Sequence, residues 1–111
     1  MATEIKESDW KLFRQLREVA LERFCERVLA EVRTAAAETG DSFHDRYLRV
    51  YELIRDRDKT IGWAFNDPRR SNALILLANI KQEGLLTPDE FARFSEQTRE
   101  AIENIEYVRR A

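Results

Sequence analysis

Two charged residues interrupt an apolar stripe in the middle of the chain, and they are the first candidates for chemistry. The stripe has the three- and four-residue spacing of one helix face and comprises Phe43, Tyr47, Val50, Tyr51, Ile54, Ile61 and Phe65. Arg57 and Asp58 stand where that spacing expects apolar side chains. A charge facing a core is costly unless it is paired and hydrogen-bonded. We prefer a structural ion pair, or exposure at the edge of the core. The functional alternative is a polar pocket for a small ligand, with Asn72 and Asn79 as neighbours.

A second candidate is the segment Asp67-Pro68-Arg69-Arg70-Ser71, which reads as the start of a helix. Free backbone N–H groups and the helix dipole make such a start receptive to phosphate or carboxylate. Arg69 and Arg70 would add bidentate hydrogen bonds to an anion. Asp67, however, would occupy the cap position itself and repel an anion. An ordinary helix start is therefore preferred over an anion site.

The residue types needed for catalysis or metal binding occur singly. Cys25 and His44 are the only cysteine and histidine, and a nucleophilic pair needs the two within hydrogen-bond reach. Cys25 is expected among apolar side chains, where a thiol is inert. Paired Glu-x-x-His motifs and a Gly-rich phosphate loop are both missing from the sequence. We therefore predict no catalytic residue, no metal and no cofactor.

Large aromatic side chains are candidates for contacts with another protein, because aromatic residues are enriched at interfaces. Trp63 lies across its helix from the apolar stripe, on the side of Leu48. If that helix is covered on one side only, Leu48 and Trp63 form an exposed patch for a partner. Trp10 is a further candidate, although core packing is the preferred interpretation for it. For Trp63 the two interpretations are even.

Charge and composition argue against nucleic acid and membrane as partners. The 19 basic residues are balanced by 21 acidic ones, which gives no long-range attraction to a polyanion. A helix-turn-helix at the junction of helices three and four would present Asp89 and Glu90 to phosphates. The chain has no run of about 20 apolar residues, the length a bilayer crossing needs. A lone cysteine and an N-terminus unlike a signal peptide predict a cytoplasmic protein.

The elements that would position these residues are helices. Helix one is predicted from Ser8 to about Glu38, close to thirty residues, with an apolar face that rotates near Val19–Leu21. Either the helix bends there or its two halves pack on different partners, one of which could be a second copy of the chain. Helix two is predicted from Ser42 to Asn66, with Ser42 as its cap.

Helix three is predicted to start at Asp67-Pro68 and to stop at Gly84. Its segment 73–80 is apolar around the whole circumference, which predicts a helix surrounded by other elements. Thr87-Pro88-Asp89-Glu90 has the pattern of a capping box and begins a short helix four. Ser95 caps the last helix, whose inward residues are predicted as Thr98, Ala101, Ile102, Ile105 and Val108.

The sequence therefore predicts an all-α protein: one bundle of four or five helices over residues 1–111, with a long N-terminal helix and a central buried helix near 68–83. Residues 1–8 are expected to be a disordered tail. The preferred function is a non-enzymatic protein-interaction module that pairs with itself or with another protein. One alternative is a small-ligand or anion-binding protein that uses Arg57, Asp58, Arg69, Arg70, Asn72 and Asn79. The other alternative is a nucleic-acid-associated regulator.

Overall fold

The computed structural model describes residues 4–111, and these form five α-helices and no strand. The helices are α1 (Glu7–Ala37), α2 (Phe43–Phe65), α3 (Ala73–Gln82), α4 (Pro88–Ala92) and α5 (Glu96–Arg110). The predicted all-α class, the helix number and the long N-terminal helix are confirmed. Residues 1–3 of the predicted disordered tail lie outside the described residues. The prediction is wrong from Glu4 onward, because Ile5 is buried in the core and α1 begins two residues later.

The hydrophobic core lies around α3, as predicted for a central helix. Six of the ten α3 residues are buried: Ala73, Leu76, Leu77, Ala78, Asn79 and Ile80. They pack with the first half of α1, the end of α2 and α5, which contribute Phe13, Leu16, Ala20, Phe24, Phe65 and Ile102 among others. The burial is not complete, because Ile75 on α3 remains exposed. We call residues 4–24 together with 64–111 the bundle.

A buried carboxylate fixes α5 against α1. Asp9, in the first turn of α1, accepts hydrogen bonds from the Ser95 backbone N–H (3.1 Å), the Ser95 hydroxyl (2.6 Å) and the Thr98 hydroxyl (2.7 Å). Burial alone would raise the pKa of Asp9, but these hydrogen bonds outweigh it and lower the pKa. The carboxylate therefore lies at the N-terminus of α5, where the helix dipole favours a negative charge.

The predicted helix ends are mostly confirmed. Ser42 caps α2 by accepting from the Asp45 N–H, and Thr87 and Glu90 form the reciprocal capping box of α4. Gly84, at φ +73°, closes α3: its N–H donates to Lys81 and the next N–H donates to Ile80, the Schellman pattern. In α5 the inward face is shorter than predicted, since Val108 is exposed near the end of the chain.

The predicted start of α3 is wrong by several residues. Asp67 adopts a left-handed conformation (φ +49°) rather than a helix cap, and α3 begins only at Ala73, with Asn72 at the N-cap position. The Asn72 side chain accepts from the Arg69 N–H and donates to the Asp67 carbonyl. These two backbone groups of the α2–α3 turn are therefore hydrogen-bonded without a helical turn at Pro68.

The second half of α1 and most of α2 leave the bundle as a two-helix arm. None of residues 25–63 is buried, and the molecule is extended, at 56 × 28 × 24 Å. Its radius of gyration is 17.0 Å, against about 13 Å for a compact domain of this length. We call residues 25–63 the arm. The helix α1 is continuous, so its two halves do pack on different partners: the bundle for the first half, and α2 for the second.

Candidate functional site

The arm has one apolar side that no other element covers. On α1 its residues follow the spacing of a single helix face, and on α2 it is the stripe identified in the sequence. We call this surface the open face; it comprises Cys25, Val28, Leu29, Val32, Ala36, Phe43, Tyr47, Val50, Tyr51, Ile54 and Ile61. The prediction that the α2 stripe faces the core is therefore wrong for most of its length, because only its last residue, Phe65, is buried.

The reason lies in the lengths of the helices. A helix rises 1.5 Å per residue, so the 23 residues of α2 extend over about 34 Å and the ten residues of α3 over about 15 Å. The central helix can therefore cover only the end of α2. The remainder of the stripe projects beyond the bundle, accompanied by α1 alone.

The open face exposes an unusual amount of aromatic surface. Phe43, Tyr47 and Tyr51 are 83%, 66% and 53% exposed. At about 200 Å² for a fully exposed aromatic side chain, these three alone leave on the order of 400 Å² in water. Leu29 and Ile54 are exposed beside them. Apolar patches of this size on a soluble protein mark interaction surfaces.

The total surface of the chain supports the same conclusion. A monomeric protein of 13.1 kDa exposes about 6,400 Å², whereas this chain exposes 7573 Å². The excess is roughly a thousand Å². A stable protein–protein interface buries about 800 Å² on each partner. The uncovered surface is therefore of the size that one standard interface would bury.

The opposite side of the arm is polar and already paired. It carries Arg27, Glu31, Thr34, Glu38, Arg49, Arg57 and Thr60. Three ion pairs connect one line of α1 side chains to α4, to the end of α3 and to α2, namely Arg23–Glu90, Arg27–Glu83 and Glu31–Arg57. The arm thus has one side on which Arg27, Glu31, Arg49 and Arg57 are ion-paired within the chain, and one side whose apolar groups are uncovered.

Arg57 forms ion pairs, but with Glu31 and Asp56 rather than with its neighbour Asp58. Its Nε and Nη2 atoms donate to the two carboxylate oxygens of Glu31, at 3.0 and 2.7 Å. The hydrogen bonds from Arg57 lower the pKa of Glu31. Asp58 is exposed and lies along an open groove of about 290 Å³ between α1 and α2, which is otherwise mostly apolar.

The other four residues of the predicted ligand cluster lie elsewhere. Arg70 bonds to the carboxylate of Glu7 and to the Ile5 carbonyl, and so ties the start of the chain to the α2–α3 turn. Arg69 pairs with Asp67 within the same turn. Because α3 begins at Ala73, neither arginine lies at a helix N-terminus, and the predicted anion site loses the backbone N–H groups on which it depended.

Asn79 is buried in the bundle and joins three helices. Its amide donates to the Trp63 carbonyl at 2.8 Å, and its oxygen accepts from Arg109 at 2.7 Å. Arg109 in turn lies 5.7 Å from the centre of the Trp63 ring. These contacts link α2, α3 and α5, and they account for the polar side chain in the core.

The residues predicted as an interface are not among those of the open face, and their role stays a prediction. Leu48 and Trp63 are both exposed, but fifteen residues of helix separate them by about 22 Å. Trp10 is half-buried and stacks on Phe13, with ring centres 5.8 Å apart. The surface that sequence reasoning missed is the α2 stripe itself, which was recognised and assigned to the core. The difference in length between helices two and three could have indicated that it extends too far.

Other features of the described residues add no second site. Within residues 4–111, no three His, Cys, Asp or Glu side chains cluster as metal ligands would. None of the helices in this range combines the length and apolar character that a bilayer crossing requires. Comparison with known proteins identified no relative: no family model, no curated protein and no solved structure matches the chain.

Proposed function

We propose that this protein is a non-enzymatic interaction module that forms a homodimer through the open face of the arm. The observation that carries the proposal is the uncovered stripe from Phe43 to Ile54, attached to a bundle that is closed and well packed. Burying this stripe would remove several hundred Å² of apolar surface from water, and apolar burial is the main favourable term in association. The compartment we expect is the cytoplasm, where the single Cys25 would stay reduced.

The arm also has a structural reason to need a partner. Most of the stability of a helix in a protein comes from packing of its apolar side. In the arm, α1 and α2 contact each other, but no residue between 25 and 63 is buried. A second pair of helices laid on the open face would complete a four-helix arrangement with a core of its own.

The chain offers a matched pair of variants that tests this proposal. Ile54 on the open face and Ile75 on α3 are equally exposed, at 49% each. Ile54→Asp places a charge in the proposed interface, whereas Ile75→Asp places the same charge on the bundle surface. We expect the wild type and Ile75→Asp to sediment at twice 13.1 kDa, and Ile54→Asp to sediment as a monomer with unchanged helical circular dichroism.

Two outcomes contradict the proposal. One is a wild-type chain that stays monomeric at concentrations of tens of micromolar. The other is a dimer that Ile54→Asp leaves intact, because this would place the interface outside the arm.

A further inference from the structure

We infer that the two copies pair antiparallel, with the two-fold axis crossing α2 close to Tyr51, so that the tip of each arm lies at the base of the other. This inference rests on the proposed homodimer and adds its geometry. In this geometry each copy covers the groove between α1 and α2 at the base of the other copy's arm. The positions of His44 and Asp58 and the shape of the arm support it.

Two titratable side chains on α2 lie at equal distances from Tyr51. His44 and Asp58 lie seven residues before and after it, on the same side of the helix. Both are exposed, and both border the apolar stripe. An antiparallel pair centred at Tyr51 therefore brings His44 of each copy beside Asp58 of the other. The imidazole N–H can donate to that carboxylate, so the contact occurs twice in the dimer.

The parallel arrangement lacks this complementarity. About an axis parallel to α2, each residue of an isologous interface would face its own copy. Asp58 would then meet Asp58, and like charges placed together oppose association. In the antiparallel arrangement the two Asp58 carboxylates lie at opposite ends of the interface.

The shape of the open face also favours the antiparallel pair. At the base of the arm there is the groove of about 290 Å³, lined by Cys25, Val28, Leu29, Ile54 and Ile61 among others. At its tip Phe43 projects as the most exposed large apolar side chain of the described residues. With the axis near Tyr51, Phe43 of one copy lies at the level of Lys59 of the other, between the groove residues Asp58 and Ile61, and enters this groove. Knob-into-hole packing of this kind is the usual contact between paired helices.

Disulfide cross-linking distinguishes the two arrangements. In a Cys25→Ser background, His44→Cys and Asp58→Cys are made as two separate proteins, mixed in equal amounts, allowed to exchange subunits and oxidised mildly. We expect a covalent dimer in the mixture, with the 44-containing and 58-containing peptides joined in mass spectra. Each protein oxidised alone should give little covalent dimer.

Sedimentation of the same proteins under reducing conditions tests the homodimer separately from its antiparallel geometry. A monomer in this measurement refutes the homodimer and the inference with it. A dimer in which His44→Cys or Asp58→Cys cross-links to its own copy refutes the antiparallel pairing alone. A dimer that forms no 44–58 disulfide in the mixture also refutes the pairing, while leaving the homodimer intact.

Discussion

The helices α1 and α2 contribute to both the bundle and the arm, yet their apolar side chains contact different surroundings in the two regions. In the bundle, Phe13 and Phe24 of α1 and Phe65 of α2 are closed off from water by α3 and α5. In the arm, the stripe on α2 continues with the same spacing, but Phe43 is 83% exposed. The comparison shows that helical periodicity identifies an apolar face without saying what covers it. In the bundle the cover comes from the same chain, and in the arm we propose that it comes from a second one.

The largest expected contrast is between two phenylalanines of α2. Phe65→Ala removes a fully buried ring and should lower the free energy of unfolding by about 4 kcal/mol, through lost burial and the cavity left behind. Phe43→Ala should lower it by less than about 0.5 kcal/mol in a dilute monomer, and should instead weaken the dimer. Chemical denaturation at low protein concentration measures the first effect, and a sedimentation series measures the second. Equal destabilisation by both variants in the monomer would remove the distinction between the two regions.

A smaller effect is expected at the carboxylate that joins α1 to α5 within the bundle. Asp9→Ala removes the acceptor for Ser95 and Thr98 and should cost about 2–3 kcal/mol, because buried donors are left without partners. Urea denaturation measures this change. The control is Glu18→Ala on the exposed side of α1, for which we expect almost no change. The dimer interface should be unaffected, since Asp9 lies outside the arm; a change in dimer affinity would contradict this.

The smallest expected effect concerns acid stability at the boundary between bundle and arm. The hydrogen bonds from Arg23 are the main reason that the pKa of Glu90 falls from 4.5 to about 2. A pKa that is lower in the folded state stabilises the fold above the unfolded value, and this contribution is lost as the pH falls from 4.5 towards 2. Because Arg23 is partly solvated, we expect only about 1 kcal/mol.

The test is Glu90→Gln, whose unfolding free energy should fall less steeply than that of the wild type between pH 4.5 and 2. Above pH 5 the variant should be slightly less stable than the wild type. If the unfolding free energies of the two proteins fall equally between pH 4.5 and 2, the Arg23–Glu90 pair contributes nothing to acid stability.

Local signals predicted much of the fold. Ser42, Thr87, Ser95 and Gly84 delimit helices as expected, because caps depend on a few neighbouring residues. The start of α3 was missed because Asp67-Pro68 is a good helix start in isolation. Its conformation is instead set by Asn72, five residues away, whose side chain bonds to the Asp67 carbonyl.

The candidate site was harder to predict because it depends on a relation between elements. Arg57 is ion-paired, which was one of the alternatives left open by the sequence, but its partner Glu31 is 26 residues away and was not identified from the sequence. The stripe was recognised, and its assignment to the core failed because periodicity contains no information on the length of the covering helix. The predicted interaction module was based on the apolar face of helix one and on Leu48 and Trp63, whereas the present proposal rests mainly on the α2 stripe.

The unbroken course of α1 through both regions has a mechanical consequence. A helix of 31 residues is about 46 Å long, and a sharp bend in it would have to break its own backbone hydrogen bonds. The arm is therefore rigid relative to the bundle. The orientation of the open face depends on how Phe13 and Leu16, in the first half of α1, pack in the bundle core. In the proposed dimer, two rigid arms side by side would keep the two bundles at a fixed distance from each other. A change in the packing of one bundle core would therefore change how the two copies are aligned.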